Sequence, residues 1–198
     1  GPVTYTVTYG DANFSASTLA VGNITLHKTG TANGSVAVTG SGTSRTVTIS
    51  SITGDGTLGI TLAAGTAADT LGNLAPAAGP SALITVDNTP PTVSVSAPSA
   101  SSTAGGPVTY TVTYGDANFS ASTLAAGNIT LTKTGTANGG VAVTGSGTTR
   151  TVTLSGITGD GTLGISLAGG TASDTAGNLA LAAGPSALIT VDNSGPTV

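Results

Sequence analysis

PVTYTVTY, residues 107–114, alternates apolar and polar side chains without a break: Val108, Tyr110, Val112 and Tyr114 fall on one face and the threonines on the other. Successive side chains of an extended chain point to opposite faces. The pattern therefore describes a strand with one face in a core and one in water. Thr suits the outer face, because its β-branch is at ease on a pleated surface. The same eight residues stand at positions 2–9.

The match reaches much further than that strand. Residues 1–93 align with residues 106–198 at a constant offset of 105; of the 93 pairs 13 differ and 80 are identical. A repeat this close, with a domain-sized period, signals a tandem array. The expected organisation is a first unit over 1–90, a second over 91–195, and the start of a further unit at 196–198. The join, VDNTPPT at 86–92, ends one strand and begins another around a diproline that fixes φ and stiffens the connector. The first copy has no counterpart of residues 91–105, so it is expected to lack its first strand, and the chain reads as a piece of a longer array.

Within the second copy, apolar alternation marks strands around Val93 and Val95, residues 107–114, Ile129 and Leu131, Val141 and Val143, residues 148–155, Leu163 to Leu167, and Ala187 to Val191. Gly-Asp, Asn-Gly and Gly-Asp-Gly clusters punctuate them as turns, with Asn33-Gly34 at the corresponding turn of the first copy. Ser120–Ala126 is expected to hold a short helical turn. About seven short antiparallel strands in such a unit describe an all-β fold: tandem immunoglobulin-like Greek-key β-sandwiches. A β-helix would show a shorter internal period, and none is found inside the unit.

Composition limits the function. Lys and Arg number 4, Asp and Glu 8, and the net charge is −4, so no basic stripe exists to neutralise nucleic-acid phosphates or to seek an anionic membrane. No apolar run is long enough to span a bilayer, so direct membrane insertion is not expected. There is no cysteine and hence no disulfide. His27 is the single histidine and its counterpart is Thr132, which fits an exposed strand residue better than a general base or metal ligand. Arg45, Arg150, Lys28 and Lys133 read as solvated charges at strand ends. No G-x-S-x-G elbow occurs, and Trp is absent, so neither acyl transfer nor a sugar-stacking platform finds its residues. The chain is not expected to be an enzyme.

PVTYTVTYGDANF, ITGDGTLGI, TASDTAGNLA and ALITVDN-x-x-PTV together resemble the immunoglobulin-like repeats of large bacterial surface adhesins and biofilm-associated proteins. The resemblance implies a location outside the cell or on the bacterial surface, neighbouring repeats of the same chain as partners, and often calcium at the junctions between domains. It implies no catalysis.

All eight acidic residues are Asp, four per copy at matching positions. In an immunoglobulin-like sandwich, Asp55 and Asp87 lie at the exit end of the first unit, and Asp116, Asp174 and Asn178 at the entry end of the second. Stacked end to end, these oxygens suit Ca²⁺, which takes six to eight hard ligands. The alternative role for each is that of an ordinary turn former bonding its own backbone. Asp11, Asp69 and Asn73 are the matching entry set of the first unit.

Three functions fit this pattern to different degrees. A structural extender, projecting a distal binding region away from the cell, fits the near-identical copies and the stiff join. A ligand-binding adhesive module needs an exposed apolar or aromatic patch, for which the sequence offers little material. An accessory domain of a secreted hydrolase is the third. The chain is expected to be a monomer, with pairing of the first unit's open strand edge to another chain ranked below that.

Overall fold

Alternation of Thr with Val, Ile, Leu and Tyr builds this chain almost wholly from strands. The only helical elements are two single 3-10 turns, Val21–Asn23 and Ala126–Asn128. The computed structural model describes residues 1–198, which divide into two units, Gly1–Thr89 and Pro90–Val198. No helix is long and apolar enough to cross a membrane.

The first unit contains β1 (Val3–Thr8), β2 (Phe14–Ser17), β3 (Ile24–Lys28), β4 (Asn33–Ser41), β5 (Ser44–Thr53), β6 (Gly56–Leu62), β7 (Ala67–Asp69) and β8 (Ile84–Val86). One sheet has the order β1-β5-β4, a second β3-β6-β8, and a two-stranded ribbon pairs β2 with β7. All these pairings are antiparallel. Val47 and Ile49 from one sheet meet Leu58, Ile60 and Val86 from the other in a single core. Burial of such side chains contributes roughly 1.5–3 kcal/mol each, the main force holding the sheets face to face.

The second unit contains β9 (Thr92–Val95), β10 (Ser102–Thr103), β11 (Val108–Gly115), β12 (Phe119–Ser122), β13 (Ile129–Gly135), β14 (Asn138–Ser146), β15 (Thr149–Thr158), β16 (Gly161–Leu167), β17 (Ala172–Asp174) and β18 (Ile189–Val191). Its sheets run β14-β15-β11-β9 and β10-β18-β16-β13, with a ribbon of β12 and β17. β10 lies parallel to β18, whereas β9 lies antiparallel to β11. Val152, Leu154, Leu163, Ile165 and Ile189 join Tyr110 and Val112 in one core. The all-β class is as expected. There are more strands than expected: β10, β12 and β17 and, in the first unit, β2 and β7 lack an apolar alternation long enough to announce them.

Two local expectations are corrected. Of the helical turn expected at Ser120–Ala126, residues 120–122 belong to strand β12, 123–125 are irregular, and the only helical turn is the 3-10 turn that starts at Ala126 and ends at Asn128. There the Asn128 side-chain oxygen accepts the Ala125 N–H at 2.9 Å and fixes the turn's entry. Asn33-Gly34 is not a turn but the start of β4, at a bulge against β5. Gly34 is needed because a Cβ there would strike the side chain of Ile49.

Identical residues sit in two environments. Val108, Tyr110, Val112 and Tyr114 are buried, while their counterparts Val3, Tyr5, Val7 and Tyr9 are only half-buried. Leu167, Ala180 and Ile189 are likewise buried, and Leu62, Ala75 and Ile84 half-buried. The cause is β9 and β10. Val93, Val95 and Ala100 pack on the second core, and nothing in the first unit takes their place, so β1 is the end of its sheet.

Candidate functional site

The Asp residues are placed by the turns they stabilise. In the first unit the β5–β6 turn holds Asp55 between Gly54 and Gly56, both with positive φ (72° and 141°) and both too close to the Thr31 and Thr29 carbonyls to carry a Cβ. That turn presents Asp55 to the segment leaving β8. Asp55 Oδ1 accepts the Asn88 N–H at 2.6 Å, Oδ2 accepts the Thr89 hydroxyl at 2.8 Å, and the Asn88 amide donates to the Gly54 carbonyl at 2.6 Å. The backbone bond from Asn88 and the hydroxyl of Thr89 hold the Asp55 carboxyl below its ordinary value of 3.8. Asp87 accepts the Thr89 N–H at 3.1 Å beside it. Asp55 and Asp87 thus share one end of the unit, as expected, and Asp55 works there as a clasp. Asp160 repeats the clasp on Asn193 and Ser194, with its carboxyl also held low, by Asn193 first.

At the other end of the second unit, Asp116 accepts the Asn118 N–H at 2.6 Å and shapes the β11–β12 loop. Asp174, 3% exposed, accepts the Asn178 N–H at 2.8 Å and its side-chain amide at 2.7 Å. Burial pushes the Asp174 carboxyl upward, but the Asn178 bonds outweigh it and the net direction is down. Thr175 N–H donates to the Asn118 carbonyl at 2.9 Å, so these two loops adjoin. Asp116, Asp174 and Asn178 therefore gather at one end of their unit. Asp69 and Asn73 form the matching pair in the first unit, with Asp69 held low chiefly by the Asn73 amide.

No three acidic, thiol or imidazole side chains come together to offer a metal site. Asp69, Asp116 and Asp174 are compensated by donors from their own loops, and Asp55 and Asp160 by the segment that follows the last strand, so within either unit they do not fit a Ca²⁺ shell built on several acidic ligands.

Sequence reasoning missed what the arginines do. Arg45 and Arg150 are ties rather than solvated strand ends. Arg150 Nη1 donates to the Ser122 carbonyl and hydroxyl, each at 3.1 Å, and Nη2 to the Leu124 carbonyl at 2.6 Å. Arg45 makes the same bonds to Ser17 and Leu19. The forked guanidinium satisfies backbone carbonyls where the chain leaves the two-stranded ribbon. The clue was the presence of one Arg at the same place in both copies. His27 is an exposed residue of β3 bonded to Thr61 Oγ1 at 2.7 Å, as expected.

The surface carries two further features. Leu71, Leu74 and Leu83, and in the second unit Leu179, Leu181 and Leu188, are exposed, with Leu71 at 81% and Leu181 at 71%. Beside β1, a groove of about 360 Å³ opens, lined by Val7, Tyr9, Phe14, Leu62, Thr66 and Leu74 among others. Its floor is held by Tyr9, whose hydroxyl bonds Thr66 Oγ1 at 2.9 Å.

Comparison of the chain with protein-family models, with curated proteins and with solved structures finds no match.

Proposed function

We infer that the chain is a run of structural extender domains from a bacterial cell-surface adhesin, two immunoglobulin-like units in series that carry load and perform no chemistry. The observation that carries this reading is the repetition of internal ties. Asp55–Asn88 recurs as Asp160–Asn193, and Arg45–Leu19 as Arg150–Leu124, so the polar side chains capable of a site are used to fasten loops. The one histidine is not repeated. Strand order supports the immunoglobulin-like part: β9, β11, β15 and β14 on one sheet and β13, β16 and β18 on the other match strands A, B, E, D and C, F, G. The bacterial and surface parts of the reading rest on the sequence resemblance alone.

Single-molecule stretching tests the inference. An extender gives two separate unfolding events, each releasing about 30 nm of chain. Saturable binding of a glycan or protein by this chain, with weak resistance to force, would overturn it. The exposed leucines favour one second reading, an adhesive module, and the same binding measurement decides for it.

A further inference from the structure

We propose that the β4 and β14 edges are sites of lateral self-association, at which the strand of one chain adds antiparallel to the matching strand of a second copy and joins two sheets into one. β14 ends the sheet β14-β15-β11-β9 and β4 ends the sheet β1-β5-β4, and both strands lie in the interior of the sequence. They are nine residues long and differ at one place, Ser35 against Gly140.

The register shows which backbone groups are open. In an antiparallel ladder, opposed residues alternate between exchanging both hydrogen bonds and exchanging none. Thr111 turns its N–H and its carbonyl to Ser96, away from β15. Its neighbours Tyr110 and Val112 therefore bond to Val152 and Arg150, and Thr151 and Thr153 bond to Thr144 and Ala142 of β14. That leaves Val141 and Val143 with N–H and carbonyl groups aimed out of the sheet, and no backbone bond from a loop or turn reaches them. Val36 and Val38 are their counterparts in β4. An outward row of this kind accepts another strand.

Charge and symmetry select a second copy as the occupant. Two edges are common to both units, β3 with β13 and β4 with β14. Proteins blunt an edge with charge, proline or shortness. β3 carries His27 and Lys28, and β13 carries Lys133. In the second unit β10 has two residues, and β9 has four and runs on to Pro98. β4 and β14 carry neither charge nor proline, so two copies meet without repulsion. A two-fold axis through Ala142 sets Val141 opposite Val143 of the second copy, and both pairs exchange their bonds. Ala142 then faces Ala142 on the exposed side of the sheet, where small side chains leave the approach open. Beyond the valines Gly145 and Gly40 leave the extended conformation, with φ of 86° and 85°, which limits the regular edge to this stretch. One strand on one strand is a small interface, so each contact is weak, and two edges per chain strengthen it through effective concentration. The proposal goes beyond the extender reading and does not rest on it.

The test uses the 198-residue chain, with sedimentation equilibrium and amide exchange from about 10 μM to about 1 mM. Average mass is expected to rise with concentration, and exchange to slow at Val36, Val38, Val141 and Val143 over the same range. Ala37 and Ala142 are exposed, so Ala37→Lys with Ala142→Lys is expected to keep the melting temperature and to weaken association at least about tenfold, since like charges then face each other across the axis. Ala37→Glu with Ala142→Glu is expected to do the same, and an equimolar mixture of the two variants to associate again. A constant monomer mass up to about 1 mM overturns the proposal. So does a mixture of the variants that stays monomeric, association that survives in the lysine variant alone, or association that protects Thr4 and Thr6 or the β3 and β13 amides in place of the four valines.

Discussion

Asp55 Oδ1 accepts the backbone N–H of Asn88 at 2.6 Å across 33 residues of sequence, and Asp160 does the same for Asn193. The bond fastens the segment that leaves the last strand of a unit to the turn before β6 or β16. Replacing Asp55 by Ala removes both acceptors. The expected outcome is loss of amide protection at Asn88 and a lower melting temperature for the first unit, with the second unit unaffected. Asp55→Asn keeps one acceptor and is expected to fall between the two. Residue-resolved amide exchange checks this, and unchanged protection at Asn88 would remove the clasp from the account.

Acid should loosen the same ties. The carboxyls of Asp55, Asp69, Asp160 and Asp174 are all held below 3.8 in the folded chain. The unfolded chain therefore binds more protons near that pH. The stability these groups contribute is fully present above about pH 5 and is lost as pH falls through their folded values. Melting temperature is expected to be flat from pH 7 to about pH 5 and to drop below about pH 4. The double variant Asp55→Asn and Asp160→Asn should blunt the drop, and a rise in melting temperature on acidification would contradict the assignment.

Ser51 takes a positive φ of 49°, and its counterpart in the second unit is Gly156, at 56°. A side chain in the left-handed region costs roughly 1–2 kcal/mol, partly offset by the greater freedom of Gly in the unfolded chain. Ser51→Gly is expected to stabilise the first unit by about 1 kcal/mol, and Gly156→Ser to destabilise the second by a similar amount. Denaturant melts of the two variants check the pair of signs.

Val7 and Val112 occupy the same position with different cover. Val112→Ala empties space in a closed core and is expected to cost about 2 kcal/mol, while Val7→Ala, on the open side, should cost about half as much. Equal costs would mean that β9 adds no burial.

Calcium offers a further check. The loop carboxylates already have protein donors, and no three acidic groups gather. Adding Ca²⁺ or a chelator is expected to shift the melting temperature less than Asp55→Ala does. A larger shift, abolished by Asp174→Ala or Asp87→Ala, would place calcium at these loops.

Long alternation was legible in the sequence. Val108 to Tyr114, Val152 and Leu154, and Leu163 to Leu167 all point where their period placed them, because one face of each strand must leave water. The short ribbons were not legible. Phe119–Ser122 and Ala172–Asp174 contribute few apolar side chains, and their pairing is set by the loops they close rather than by a face they bury. The Asp residues were recognised as grouped at the ends of the units, but the bonds that occupy them cross 33 residues between Asp55 and Asn88, a distance over which local patterning carries no signal. The guanidinium ties were hidden for the same reason: Arg150 reaches back 26 residues to Leu124.

The central claim is that residues 91–105 complete the sheet and the core of the second unit. Amide exchange at Thr6 and Thr111, measured in one sample of the 198-residue chain, tests it most directly, since the two residues share a sequence context and differ in whether Ser96 Oγ is there to accept. Much faster exchange at Thr6, slowed toward the Thr111 rate when residues 91–105 are joined ahead of Gly1, is the expected result. Equal rates in the unextended chain would contradict it.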